Sequence, residues 1–142
     1  MKKGRLMITA VFALVMFCVV GCGSSGKKTL ECTMKAASTE MILTANFDGD
    51  TVKSMSLKYN LDLSSYSDTM LSYYEKQDLC STLSKSVSSV FKMTNCNQKL
   101  NDKTMVVTSD IDINSFKESE LSGSPEATKT ALEKQGYTCE LK

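Results

Sequence analysis

Carboxylate, lysine, tyrosine and cysteine side chains are the groups on which any chemistry of this chain would rest, because it contains no histidine. Without an imidazole the usual neutral-pH general base is missing, and Ser-His-Asp and Cys-His arrangements are impossible within the chain. Histidine-based zinc and iron sites are lost with them. Glu75 and Asp78 stand three apart and could share a helix face as the paired carboxylates of a hydrolase, although ordinary surface pairs have the same spacing. Asp48 and Asp50 flank Gly49, and Asp110 and Asp112 alternate along a strand-like run. Calcium wants six to eight oxygens from a converging loop, and neither aspartate pair supplies one, so a solvated turn and a charged strand face are the simpler expectation. Of nine methionines, Met1, Met7 and Met16 lie near the start, and Met34, Met41, Met55, Met70 and Met105 fit core positions. Only Met93 is left over, which is too few for a copper cluster. No residue is therefore assigned a catalytic, metal-binding or cofactor-binding role, and the domain is expected to be non-enzymatic.

The start of the chain carries a different kind of chemistry. Lys2, Lys3 and Arg5 precede an apolar run from Met7 to Val20, broken only by Thr9. Such a run is short for a membrane span and suits the h-region of a signal peptide. It ends in Val19-Val20-Gly21-Cys22, which resembles the lipobox of bacterial lipoproteins. The resemblance implies diacylglyceryl transfer to the Cys22 thiol and cleavage before it. The expected organisation is a signal peptide over 1–21, a lipid-anchored flexible tether over 22–28 containing Gly23, Ser24, Ser25 and Gly26, and one domain over 29–142. Two acyl chains anchor stably where one binds only marginally. A plain secretory peptide and a retained transmembrane helix are the alternatives.

Removing residues 1–21 from the 142 leaves 121, a single-domain length. Three of the 17 basic residues go with the leader, leaving 14 Lys against 16 Asp and Glu. There is no Arg beyond Arg5 and no lysine cluster beyond Lys27-Lys28, so the concentrated basic surface that nucleic acid demands is missing. Cys18 departs with the leader, leaving Cys32, Cys80, Cys96 and Cys139 beyond the anchor. An even number in an exported small domain reads as two disulfides, with three pairings open. None sits in a CxxC spacing, which weakens a thioredoxin-like or zinc role.

Period-two alternation predicts strands over 29–35, 40–47 and 51–61, the last two joined by an Asp48-Gly49-Asp50 turn. Ser64, Ser65 or Ser67 can cap a helix to about Ser89. Its inward stripe would be Tyr66, Met70, Tyr73 or Tyr74, Cys80, Leu83, Val87 and Val90. Residues 91–98 are ambiguous and taken as a strand, followed by a turn at Asn101-Asp102 and a strand over 104–113. An irregular connection then leads to Ser124-Pro125, a helix start with serine as cap, and the helix stops at Gly136. Tyr137, Cys139 and Leu141 alternate as a short last strand. The expected fold is a two-layer α+β domain, with a largely antiparallel sheet of five or six strands and two helices packed on it. If the return from the helix is a strand, Cys80 can meet Cys96, which leaves Cys32 and Cys139 to join the first and last strands. If the helix runs on to Lys92, the short return makes Cys80–Cys96 hard to form.

This pattern resembles the YehR-like family of small bacterial lipoproteins over about residues 40–142. The likeness rests on the hairpin Phe47-Asp48-Gly49-Asp50-Thr51-Val52-Lys53, the segment Ile111-Asp112-Ile113-Asn114-Ser115-Phe116 and the ending Ala131-Leu132-Glu133-Lys134-Gln135-Gly136-Tyr137. The four cysteines beyond the anchor depart from the family pattern. The resemblance implies an envelope location and this architecture, and no reaction. Membrane lipid, through acylated Cys22, is the expected partner on the extracytoplasmic side, together with a small ligand, a peptide or an envelope protein. Two adjacent helical residues cannot both point straight into the core, so one of Tyr73 and Tyr74 is the first candidate contact residue, although packing of both at the core border is the simpler expectation. The alternatives are an assembly subunit of an envelope complex and, further off, a carboxylate-dependent hydrolase.

Overall fold

A computed structural model of the chain describes residues 26–117 and 121–142. The leader at 1–21, Cys22 and the tether up to Ser25 lie outside the described residues. Six strands form one sheet: β1 (Lys27–Ala36), β2 (Thr39–Asp48), β3 (Thr51–Asp62), β4 (Lys92–Asn101), β5 (Thr104–Asp112) and β6 (Thr138–Leu141). Their order is β4-β5-β3-β2-β1-β6, and every neighbouring pair is antiparallel. Strand β1 begins inside the expected tether, because Lys27 and Lys28 pair with Asp48 and Phe47.

Three α-helices accompany the sheet, α1 (Asp68–Lys76), α2 (Leu79–Val87) and α3 (Pro125–Lys134), where two were expected. The single helix predicted up to Ser89 is broken at Gln77-Asp78. There the Asp78 side chain accepts from the Ser81 amide, at 2.8 Å, and starts a new helix. Residue Gln98 on β4 holds the break open from outside. Its Oε1 accepts from the amides of Leu79 (2.8 Å) and Cys80 (3.2 Å), and its Nε2 donates to the Gln77 carbonyl (2.6 Å). Helix α3 starts as its sequence predicts, with Ser124 Oγ accepting from the Ala127 amide. A short 3₁₀ turn (Ile113–Ser115) follows β5 and is capped by Asp112.

The core lies on one face of the sheet. Leu30, Cys32, Met41, Leu43, Ala45, Phe47, Leu57 and Ile111 pack there with Val87 from α2 and Leu132 from α3. Met105, Val107, Leu63 and Leu71 form a second cluster. Burying each such leucine stabilises by roughly 1.5–3 kcal/mol. Met93, left unplaced by the sequence pattern, is buried in the first cluster. Its neighbour pattern explains the ambiguity of residues 91–98. Thr94 pairs with Asp110 and Asn97 with Thr108, so Asn95 and Cys96 together stand opposite Ser109 in a bulge, with Asn95 at φ 51°. The extra residue reverses the alternation, turning Cys96, Gln98 and Leu100 toward the helices.

Candidate functional site

The segment between β3 and α1 is fixed before it presents anything to solvent. The Leu63 amide donates to the Lys103 carbonyl at 2.7 Å, and the Leu63 side chain is wholly buried. Asp62 Oδ1 accepts from the Ser64 amide at 2.9 Å, and the Tyr66 amide donates to the Leu63 carbonyl at 3.0 Å. Helix α1 then turns Leu71 into the second core cluster, with Tyr74 packed against it. This register overturns the expected inward stripe at Tyr66 and Met70, while Tyr74, Cys80, Leu83, Val87 and Val90 pack inward as expected. Tyr66, Met70 and Tyr73 point outward, 38, 40 and 57% exposed, and they are the exposed large hydrophobic side chains among the described residues. The first part of the stripe was misplaced because it was phased on one long helix instead of two short ones. Leu71 and Tyr74, three apart, carry the signal for the true inner face.

Tyr74 joins this surface to the core. Its ring lies 5.6 Å from that of Tyr66, at 59°, and 5.9 Å from that of Tyr73, at 80°, within the range of favourable tilted and edge-to-face contacts. Desolvation raises the Tyr74 phenol above its ordinary value, and the neighbouring Tyr66 hydroxyl adds to the shift. The Tyr74 phenol is therefore a neutral donor and acceptor around neutral pH. Of the expected pair, Tyr73 is the solvent-facing member and Tyr74 the border residue, with Tyr66 and Met70 added to the exposed set.

Among the described residues the carboxylates gather into no comparable site. Asp48 and Asp50 lie at the β2–β3 turn. Asp110 Oδ2 accepts from the Asn95 amide nitrogen at 2.9 Å, while Asp112 accepts from the Asn114 amide. Asp78 is occupied as a helix cap, and the break before it removes the common helical face expected with Glu75. Both still border a shallow cleft beside Cys80, Cys96 and Gln98. Among the described residues no three His, Cys, Asp or Glu side chains are grouped to hold a metal ion.

The sheet face opposite the core is polar. Glu31, Thr44, Ser56 and Asp110 fall in one cross-strand row, beside Ile42, Lys58 and Thr108, and line an open trough of about 520 Å³. Farther along, Glu40 Oε2 accepts from Asn60 Nδ2 at 2.9 Å and its Oε1 pairs with Lys35 Nζ at 3.2 Å, contacts that hold its carboxyl below the usual range. The Lys28 ammonium does the same for Glu126, joining β1 to the first turn of α3.

The cysteines are joined in two pairs. Cys32 and Cys139 are direct cross-strand partners on β1 and β6, and Cys80 at the start of α2 is bonded to Cys96 in the β4 bulge. Helix α2 ends at Val87, so the return along β4 is long enough to bring the second pair together. No described helix is long and apolar enough to cross a membrane.

No family model matches the chain, and no curated protein matches it. Among solved structures it is similar to an NMR structure of a protein from Streptococcus pneumoniae TIGR4. That likeness has 14% sequence identity and a TM-score of 0.48, and it covers 87% of this chain and 88% of the other.

Proposed function

We propose that this chain is a lipid-anchored, extracytoplasmic binding or accessory domain of the cell envelope, non-enzymatic and held to the membrane by acylated Cys22. The observation that carries the binding role is the Tyr66–Met70–Tyr73 surface, an aromatic face set against Tyr74 and left partly open to solvent. The anchoring role is supported by the apolar run ending in Gly21-Cys22 and by two disulfides, bonds that persist in oxidising compartments. The resemblance to YehR-like lipoproteins points the same way. In this scheme the membrane supplies location and the tyrosine face supplies contact, while the carboxylates serve as caps, ion pairs and a solvated surface.

Fractionation and intact mass test the anchor. The wild-type chain is expected in the membrane fraction, cut before Cys22 and carrying a diacylglyceryl mass. Cys22→Ser is expected to lose that mass and remain uncut. A wild-type chain recovered soluble and unacylated would overturn the anchoring.

A further inference from the structure

We propose that the Tyr66–Met70–Tyr73 face is a platform for pyranose rings of a neutral envelope glycan, and this rests on the extracytoplasmic placement proposed above. Position excludes the nearest competitors. Gly26, where the described chain begins, lies against the β2–β3 turn, its carbonyl accepting from the Gly49 amide at 2.9 Å. The tyrosine segment leaves β3 at its other end, beside the β4–β5 turn, where Leu63 bonds Lys103. Strand β3 has 12 residues and so separates the two ends by about 40 Å. Four residues from Cys22 to Gly26 reach at most about 14 Å. An anchored bilayer and the chain's own tether therefore meet the pole opposite the tyrosines, and the face looks outward into the envelope.

Size and chemistry select the occupant. Helix α1 has nine residues and is about 13 Å long. Three exposed side chains on and beside it fall short of the roughly 800 Å² per partner of a stable protein interface, a second copy included. They match one or two sugar rings. An aromatic face carries negative charge density that attracts the C–H-rich face of a pyranose. Ser64, Ser65, Ser67, Ser72, Asp68 and Glu75, all exposed on α1 and the segment before it, offer donors and acceptors for its hydroxyls. The platform is held in advance, with Tyr66 and Tyr73 both set against Tyr74, so little side-chain freedom is lost on binding.

The full-length acylated protein in detergent is titrated with chitotetraose and maltotetraose. Tyrosine emission gives a direct signal, because the chain has no tryptophan. Binding to at least one oligosaccharide is expected, weakened tenfold or more in Tyr73→Ala and in Tyr66→Ala/Tyr73→Ala. It should hold within twofold in Tyr66→Phe/Tyr73→Phe, which keeps the rings, and in Asp110→Asn on the opposite sheet face. Far-UV circular dichroism establishes that each variant is folded. Three results overturn the platform: no binding by the wild type, binding indifferent to loss of the rings, or a tyrosine-dependent self-association in its place. Acylation is read separately by mass. An acylated chain that ignores both glycans refutes the platform alone, and an unacylated chain refutes the anchoring.

Discussion

Tyr137 shows how one residue can be legible in position and unreadable in energy. Alternation with Cys139 and Leu141 placed it inward, and it is 4% exposed. Its hydroxyl, however, finds no hydrogen-bond partner among the described residues. A buried donor without a partner costs about 1–3 kcal/mol, and no sequence pattern reports that lack. Burial also pushes the phenol up to about 12. The folded state therefore keeps its proton while the unfolded chain loses one near pH 10. Stability falls as pH rises from about 10 to about 12, by about 2–3 kcal/mol from this group. Tyr137→Phe is expected to gain about 1 kcal/mol at pH 7 and to lose that share of the alkaline decline, measured by urea unfolding at pH 7, 9 and 11. Tyr59 and Tyr74 are shifted upward too, mainly by burial, so the slope should flatten and not vanish. A variant less stable than wild type at pH 7, with an unchanged slope, would show that the hydroxyl is satisfied after all.

The strands were legible in the sequence because period-two patterning and short polar turns are local signals, and Ser124-Pro125 and Gly136 likewise marked the ends of α3 within one turn. Two other element-scale features were not local. The α1–α2 break has neither glycine nor proline, and its capping side chain, Gln98, lies 20 positions beyond Asp78. The β4 bulge made its own strand, expected over 91–98 and present over Lys92–Asn101, ambiguous by inverting the alternation after Thr94. Together they decide which residues of 66–74 face solvent, so the candidate surface was legible only as far as the Tyr73-Tyr74 ambiguity. The break also makes a prediction. Gln98→Ala leaves the Leu79 and Cys80 amides and the Gln77 carbonyl without their partner and should cost about 2 kcal/mol. Asp78→Ala removes a single cap and should cost about 1 kcal/mol. Thermal unfolding of the two variants ranks them. If Gln98→Ala proved the milder, the break would belong to the local Asp78 cap and not to β4.

At the scale of the whole molecule, the cysteines tie together segments that the strand order alone leaves weakly held. Strand β6 has four residues and pairs only with β1, at the far edge from β4. Its disulfide closes a separation of 107 residues, and in the chain-entropy model a loop near that length contributes about 4–5 kcal/mol. The Cys80–Cys96 bond closes 16 residues and contributes about 3 kcal/mol in the same model. The open cleft lies beside this second pair. Cys32 is 1% exposed and its partner Cys139 half-buried, whereas Cys80 and Cys96, also half-buried, both border the surface cleft beside Asp78. A thiolate must reach a sulfur in line before exchange can begin, so access sets the rate while loop length sets the stability. Under mild reduction at neutral pH, alkylation and mass mapping should find Cys80 and Cys96 labelled before Cys32 and Cys139. The melting temperature should nevertheless fall further in Cys32→Ser/Cys139→Ser than in Cys80→Ser/Cys96→Ser. Should Cys32 and Cys139 be labelled first, the β6 edge must open more readily than its pairing and burial imply. The lightly held part of the fold would then be that C-terminal edge, with the region around α2 and the tyrosine face the firmer end.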